Sequence, residues 1–243
     1  MLPKISIITV CFNCVNDIER TILSVINQSY SNFEYIVIDG GSSDGTLEKI
    51  KKYQNKISYW NSESDAGIYD AMNKGIDVAT GEWINFMNAG DTFVNGNILY
   101  DIFTTVIPQD KKIIYSDFYG IRKGKMKLYK CSFEKGDIVH QASIYKKELH
   151  SVYGKYIVTD RIIISDYLFF NSIPSILYLK IDIPIAVYDL SGISSDNWCF
   201  YQKLCADVVF RRISMRYLIC RILLNPIVCL IPSSIKGYLK SKK

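Results

Sequence analysis

The stretch that decides the fold runs from Ser62 to Asp91 and reads SESDAGIYDAMNKGIDVATGEWINFMNAGD. Its pattern predicts a helix over residues 67–78 and then a short, apolar strand over residues 82–87. The turn Asn88-Ala89-Gly90-Asp91 ends that strand and leaves the Asp91 carboxylate where the strand meets solvent. Because ligands of open α/β sheets bind beyond the carboxyl ends of the strands, we expect Asp91 to bind a cation or a nucleotide phosphate. The alternative is that Asp91 only caps a turn or helix.

Strands and helices alternate through the first hundred residues. Apolar runs predict strands at 5–10, 33–38, 57–60 and 82–87, and amphipathic patterns predict helices at 17–29, 46–53 and 67–78. This alternation predicts βαβ units and therefore a parallel sheet with right-handed crossovers. Later in the chain we expect strands at 112–119, 125–131 and 178–188, a helical or turn-like segment at 145–153 and a helix at 160–170. Pro184 places the last of these strands at a sheet edge.

Composition limits the class of protein. The 243 residues are 49% hydrophobic, enough for one large domain or for a core domain with an appendage. The start of the chain shows no signal peptide and the seven cysteines are scattered, so we expect reduced thiols in the cytoplasm. Cys11 and Cys14 have zinc-ligand spacing, but a second pair is missing nearby and both histidines are distant in sequence.

The charge is concentrated at the C-terminus. Residues 207–243 contain eight basic residues and one acid, a net +7, so the total of +5 leaves −2 for residues 1–206. This distribution argues against nucleic acid as a partner and predicts a local basic surface. No sequence window approaches the roughly 20 apolar residues that span a bilayer.

Polar residues follow the first two predicted strands. Asp39 could accept a hydrogen bond from a nucleobase N–H, with Thr9 and Asn13 adding polar contacts. The alternative is that Asp39 caps its own Gly-Gly-Ser turn. The chain contains neither a G-x-G-x-x-G nor a G-x-x-x-x-G-K-[ST] motif, so NAD-type and P-loop chemistry lack their signatures.

Two candidates lie in the second half. His140 follows apolar residues and is either a ligand or a structural histidine. Asp166 lies within the apolar run 162–170, where a carboxylate must be paired or have a raised pKa, which suits a general base. The alternative is a buried aspartate bonded to backbone or tyrosine.

Together these segments resemble the family 2 glycosyltransferases of GT-A fold, closest to the bacterial branch that builds cell-surface polysaccharides of the colanic-acid and O-antigen type. The resemblance rests on residues 6–13, 37–46, 62–75 and 88–91, and more weakly on 140–141, 165–167 and 191–194. It implies an α/β fold with a Rossmann-like, mostly parallel nucleotide-binding sheet, a smaller acceptor-side region and a basic helical tail. The corresponding domains are 1–105, 106–206 and 207–243.

The resemblance also implies roles for individual residues. The donor would be a nucleotide-sugar, by family habit a UDP-sugar, held by Thr9, Asn13, Asp39, Asp65, Tyr69, Asn73, Lys74, Asn88 and Ala89. Asp91 and His140 would hold Mn²⁺ or Mg²⁺, although Asn88 and Gly90 stand where many relatives have acids. Asp166 would be the base of an inverting transfer.

The implied acceptor is a polyprenyl-diphosphate-linked saccharide in surface polysaccharide biosynthesis. The basic tail from Arg211 would lie on an anionic membrane, which predicts a cytoplasmic protein peripheral to the inner face of the cell membrane. The alternative is a packed helical pair with solvated charges. Two other functions stay open: a non-catalytic nucleotide-sugar-binding scaffold of an assembly complex, and a sugar nucleotidyltransferase, for which a basic glycine-rich loop after the first strand is missing.

Overall fold

Apolar strands and amphipathic helices alternate along the chain, as the computed structural model of residues 2–190 and 197–230 shows. The strands are β1 (Ile5–Cys11), β2 (Phe33–Asp39), β3 (Tyr59–Ser62), β4 (Trp83–Phe86), β5 (Thr92–Phe93), β6 (Ile113–Ser116), β7 (Phe118–Arg122), β8 (Lys125–Tyr129), β9 (Ser143–Lys146), β10 (Tyr178–Ile181) and β11 (Ala186–Asp189). The helices are α1 (Ile18–Ile26), α2 (Thr46–Lys52), α3 (Ile68–Val78), α4 (Ile98–Phe103), α5 (Leu149–Tyr153), α6 (Ser165–Ser172), α7 (Asn197–Val209) and α8 (Met215–Leu230).

The central sheet has seven strands in the order β10-β6-β9-β4-β1-β2-β3, and it is parallel except at β9. Strand β1 is buried along its whole length, and both α1 and α3 contact it. Helix α3 lies close to β1 at Gly75, where an added Cβ would come 2.5 Å from Ile8 Cγ2. The predicted mostly parallel α/β sheet is confirmed. Cys11 is in register with Asp39, so β1 and β2 end side by side.

A second sheet, in the order β5-β11-β7-β8, joins residues that are distant in sequence. It corrects two predictions. The strand predicted over 178–188 is two strands, because the segment around Pro184 leaves the central sheet after β10 and enters the second sheet as β11. The strand predicted over 112–119 likewise divides at Asp117 into β6 and β7.

Other boundaries also differ from the predictions. The helix predicted over 160–170 is α6, which begins only at Ser165. The segment at 145–153 ends a strand, β9, before it becomes helix α5. Strand β5 and helix α4 were not predicted, because elements of two and six residues are too short to show a period.

The chain divides into two compact units, residues 1–195 and 196–243. In the second unit α7 contacts α8, and the Arg221 guanidinium lies 5.3 Å from the centre of the Phe200 ring. Among the described residues, no helix is both long enough and apolar enough to cross a bilayer. The segment 191–194 and the last thirteen residues of the predicted tail lie outside the described residues. The three-part division of the chain stays a prediction.

Candidate functional site

Asp39 is the polar centre of the edge where β1 and β2 end. Its carboxylate is fully buried and accepts hydrogen bonds from the Ser42 N–H (2.9 Å), the Ser42 hydroxyl (2.5 Å) and the Ser62 hydroxyl (2.6 Å). Burial alone would raise the pKa of Asp39, but the bonds from Ser42 and Ser62 outweigh it and lower the pKa. A negative charge is therefore held at this edge, and it caps the turn that follows β2.

The loop after β1 is fixed to the loop after β2. The N–H of Asn13 donates to the Ser42 hydroxyl (2.7 Å), and the Asn13 side-chain oxygen accepts from the Ser43 N–H (3.0 Å). The N–H of Val15 donates to Asp44 (3.0 Å). Asn13 itself has a positive φ of 46°, which asparagine tolerates better than most residues. The two loops therefore form one bonded rim beside Asp39, with Asn13 exposed on it.

Thr9 and Ala89 connect β1 to the end of β4. The Thr9 hydroxyl is fully buried, donates to the Met87 carbonyl (2.7 Å) and lies 3.0 Å from the Tyr35 hydroxyl. The Ala89 N–H donates to the Val10 carbonyl (3.2 Å). These contacts fix the turn that carries Asp91, and the Thr9 side chain has no surface open to a ligand.

Gly40 allows a second carboxylate to approach the Asp39 turn. A Cβ added at Gly40 would come 2.6 Å from the Asp65 Oδ2 atom and 3.4 Å from the Phe12 ring. The Phe12 ring is 62% exposed, although it follows a buried strand directly. An exposed aromatic ring beside two carboxylates is a surface on which a nucleobase can stack, and the sequence analysis did not identify it.

The Lys74 side chain, on helix α3, contacts the loop that precedes the helix. Its ammonium pairs with Glu63 (3.0 Å) and Asp70 (3.3 Å). It also lies 3.4 Å from the Ser64 carbonyl. Lys74 thus anchors the loop that carries Asp65.

Tyr69 and Asn73 face the second half of the chain. The Tyr69 hydroxyl donates to the Asp166 Oδ1 atom at 2.7 Å. The Asn73 amide exchanges two hydrogen bonds with the backbone of Tyr156, at 2.8 Å and 3.0 Å. Residues four apart share a helix face, and this face joins α3 to the Asp166 region.

Asp91 lies in the turn after β4, as its position in the sequence predicts, but its carboxylate is buried and does not lie at the solvent edge. Gln141 donates to its Oδ2 atom (3.0 Å), and the Asp189 N–H lies 3.4 Å from Oδ1. Burial raises the pKa of Asp91 to about 6, against the opposing effect of the Gln141 hydrogen bond. Arg20 lies beside the same turn, since a Cβ added at Gly90 would come 3.4 Å from its Nη2 atom. Sequence reasoning assigned no role to Gln141 or Arg20, because neither belongs to a local pattern with Asp91.

Asp166 belongs to a chain of hydrogen bonds. His140 Nδ1 lies 2.7 Å from Asp166 Oδ2, and His140 Nε2 lies 3.0 Å from Asn88 Nδ2. The arrangement fits a neutral imidazole that donates through Nδ1–H and accepts at Nε2. The sequence predicts His140 as a metal ligand, whereas both its ring nitrogens are engaged here, so coordination would require it to release Asn88.

The residues around Asp91 offer oxygen ligands. The Asn88 Oδ1 atom is buried and has no hydrogen-bond partner, and it belongs to the same tight turn as the Asp91 carboxylate. Hard divalent cations take oxygen ligands of these two kinds. Within the described residues, no three His, Cys, Asp or Glu side chains converge on one point. The donor set therefore fits a Mg²⁺- or Mn²⁺-type cation only if a diphosphate supplies further oxygens.

The sequence profile of glycosyl transferase family 2 matches residues 6–168. That range contains every residue of the site except Asp189. The chain belongs to glycosyl transferase family 2.

Curated relatives of this family 2 chain carry glycosyltransferase names. An uncharacterized glycosyltransferase of Mycobacterium tuberculosis is 40% identical over 98 residues, which are 40% of this chain and 37% of the relative. A PGL/p-HBAD biosynthesis glycosyltransferase of Mycobacterium bovis is 28% identical over 171 residues, 66% of each protein. The matches thus span between about a third and two thirds of these relatives' lengths.

Solved structures show the fold of the family 2 chain. TarS from S. aureus, in complex with UDP-GlcNAc, superposes with a TM-score of 0.69 at 18% identity over 85% of this chain and 66% of TarS. The mannosyltransferase PcManGT of Pyrobaculum calidifontis, in complex with GDP-Man and Mn²⁺, gives 0.69 at 13% identity over 100% and 80% of the two chains. The GT-A fold predicted from the sequence is confirmed.

Proposed function

We propose that the chain is an inverting glycosyltransferase that moves a sugar from a nucleotide-sugar to an acceptor hydroxyl. One observation carries the proposal. His140 and Gln141 are adjacent in sequence, and they hold two different carboxylates, Asp166 and Asp91. Asp166 suits proton removal from an acceptor hydroxyl, and Asp91 suits binding of a cation that neutralises the charge of a leaving diphosphate. Inverting transfer needs both groups in one site.

The donor side lies at the edge of β1 and β2. Asp39, Asn13 and Phe12 surround the space beyond these strands, with Asp65 beside them. In this assignment Asp39 accepts from the base N–H, Phe12 stacks on the base, and Asp65 faces the ribose. UDP is the favoured nucleotide, and the UDP and UDP-GlcNAc complexes of TarS support that choice. Thr9 positions the strand ends and does not contact the ligand.

A divalent cation would be held by Asp91 and the Asn88 side-chain oxygen together with diphosphate oxygens. When bound it neutralises charge that develops on the diphosphate as the glycosidic bond breaks. Arg20, beside the Gly90 turn and paired with Asp17 at 3.4 Å, places a guanidinium in the same region. The Mn²⁺ in the PcManGT complex supports a divalent cation.

The acceptor side is built around Asp166, which takes the proton of the attacking hydroxyl. Tyr69 and His140 each hold one of its oxygens, so the carboxylate is fixed in orientation. We assign to His140 a positioning role instead of metal coordination, and the same role to Tyr69. Asn73 and Lys74 position the neighbouring segments.

The acceptor we favour is a polyprenyl-diphosphate-linked saccharide used in surface polysaccharide synthesis, and the site would work at the inner face of the membrane. A cholesterol galactosyltransferase of Borreliella burgdorferi, 32% identical over 118 residues, supports a lipid-linked acceptor. The described part of the tail adds exposed apolar residues next to arginines: Met215, Tyr217, Ile219, Ile222, Leu223 and Leu224. Removal of residues 211–243 is expected to lower co-sedimentation with anionic liposomes; unchanged sedimentation would refute the role of the tail.

The test is release of nucleoside diphosphate from UDP-, GDP- and dTDP-sugars, with Mn²⁺ or Mg²⁺ and with chelator. We expect metal-dependent release from one donor class, lost in Asp91→Asn. Asp91 is the only carboxylate in the turn Asn88-Ala89-Gly90-Asp91, and this sparse donor set favours the second candidate, a non-catalytic donor-binding scaffold. That candidate predicts saturable donor binding by calorimetry without release, even when a lipid-linked acceptor is supplied.

A further inference from the structure

Strands β7 and β8 form a hairpin at the edge of the second sheet, where β7 pairs with β11 and β8 is the outermost strand. Residues 121–130 contain five basic residues and no acid. Lys130 pairs with Asp117 at 2.8 Å. Within the described parts of the chain, the other four have no acidic partner: Arg122, Lys123, Lys125 and Lys127. The hairpin therefore presents uncompensated positive charge.

Strand β8 is exposed on both faces. Its first four residues are all exposed, with Met126 at 60% and Leu128 at 37%. Because side chains alternate along a strand, Met126 and Leu128 share one face while Lys125 and Lys127 lie on the other.

The apolar face continues onto the neighbouring strand. Met126 is in register with Ile121 and Leu128 with Tyr119, and both partners are partly exposed. The opposite face is fixed by the Phe118 and Tyr129 rings, which stack at 5.4 Å with an interplanar angle of 10°. The hairpin is thus a supported ribbon with an apolar strip on one face and the Lys125 and Lys127 side chains on the other.

Protection of a sheet edge does not explain this composition. Lysines on an edge strand prevent pairing with another chain, but that purpose is not served by an exposed methionine and leucine between them. Exposed apolar side chains that alternate with lysines along an edge strand are instead the chemistry of a membrane interface, where the apolar groups enter the headgroup layer and the long basic side chains reach around the strand to anionic phosphates.

We propose that the β7–β8 hairpin is a contact site for an anionic lipid bilayer. The inference goes beyond the proposed transferase activity and does not depend on it. It also differs from the predicted role of the tail, because the hairpin belongs to the unit that contains the catalytic site. An enzyme anchored there would work on acceptors embedded in the same bilayer.

The test is binding of the full chain to vesicles of phosphatidylglycerol and phosphatidylcholine (1:3), with pure phosphatidylcholine vesicles in parallel. Lys125→Ser/Lys127→Ser is compared with Lys51→Ser/Lys56→Ser, which removes the same charge from exposed lysines near α2. Each lysine near anionic lipid is worth about fivefold in affinity, so we expect roughly a 25-fold loss for the hairpin variant, which removes two lysines, at low salt. The α2 variant should change binding less than threefold.

The apolar strip is tested with Met126→Ser, and Val152→Ser, 72% exposed, is the control. Met126→Ser should weaken binding severalfold while the control does not. Circular dichroism melts establish that all variants fold. The proposal is overturned if the wild-type chain does not bind anionic vesicles or if it binds phosphatidylcholine vesicles equally well. It is also overturned if the two double lysine variants lose the same affinity. Donor hydrolysis measured without vesicles separates these outcomes from failure of the transferase proposal.

Discussion

The Nδ1 atom of His140 lies 2.7 Å from the Oδ2 atom of Asp166, and Tyr69 donates to the other oxygen of the same carboxylate. A carboxylate held at both oxygens has a fixed orientation. Proton transfer depends on such alignment, because a general base acts only within hydrogen-bond reach of the proton that it removes.

Asp166→Asn should lower kcat by about a hundredfold to ten-thousandfold, the usual contribution of a general base. Donor affinity should stay within about twofold, because in the proposed mechanism Asp166 acts on the acceptor. Steady-state kinetics and isothermal titration with the nucleoside diphosphate measure the two quantities. Full turnover in this variant would show that another group is the base.

His140→Gln distinguishes positioning from metal coordination. If His140 orients Asp166, kcat should fall about tenfold to a hundredfold, as when an orienting hydrogen bond is removed, and the cation concentration at half-maximal rate should not move. If His140 is a ligand, that concentration should rise instead. Tyr69→Phe serves as a companion variant, because it removes one bond to Asp166 without touching the Asn88 turn.

Asp91 couples pH to donor binding and to stability. Burial raises its pKa to about 6, so the charged form is disfavoured in the folded protein relative to the unfolded chain. Without a bound cation, the raised pKa of Asp91 lowers the free energy of unfolding by about 3 kcal/mol as pH rises from about 4 through 6, since each pKa unit is about 1.4 kcal/mol.

Asp91→Asn should therefore raise the Tm at pH 8 without cation while abolishing metal-dependent release. Wild-type cation affinity should fall about tenfold per pH unit below 6.

A lower Tm at pH 8 in Asp91→Asn would contradict this expectation. It would show that the hydrogen-bond partners of Asp91 stabilise its charged form enough to offset the effect of burial. Gln141→Leu is the matched variant. It removes the hydrogen bond to Asp91 Oδ2 and should raise the pKa of Asp91 further, so the acid limb of the donor-binding profile should move to higher pH.

Arg20→Met tests the positive charge beside the Gly90 turn. Loss of that charge should weaken nucleoside diphosphate binding about threefold to tenfold at low salt, and the difference should shrink above 0.5 M salt because exposed charges are screened. Lys51→Met is the control, an exposed cation on α2. Equal effects of the two substitutions would mean that only net charge matters.

Gly40→Ala tests the close approach of Asp65. The added Cβ would lie 2.6 Å from Asp65 Oδ2, so Asp65 must swing away and donor KM should rise severalfold. Because Asp65 is the end of a movable side chain, the Tm should change by only a few degrees. In an Asp65→Ala background, Gly40→Ala should have no further effect on the donor KM. An additive increase in KM would instead indicate that the added Cβ acts through the Phe12 ring.

Much of the nucleotide-binding half could be predicted from the sequence. The β-branched runs of β1 and β2 and the period of α3 are local signals, and they place Asp39 and Asp91 at strand ends. The orientation of α3 is not a local signal. Its period shows that Tyr69 and Asn73 share a face, but only the folded chain shows that this face meets Asp166 and Tyr156. Gln141 lies 50 residues from Asp91, and no periodicity in either segment connects them.

The adjacency of His140 and Gln141 has a consequence for protein engineering. Chimeras that exchange the second half of such chains to obtain a new acceptor preference will also replace the amide that holds Asp91. A graft that omits this dipeptide leaves a buried carboxylate without its amide donor, and one that includes it changes the donor side as well. Under the proposed roles of Asp91 and Asp166, donor and acceptor preference cannot be exchanged independently, and a successful exchange must treat the His-Gln pair as part of both.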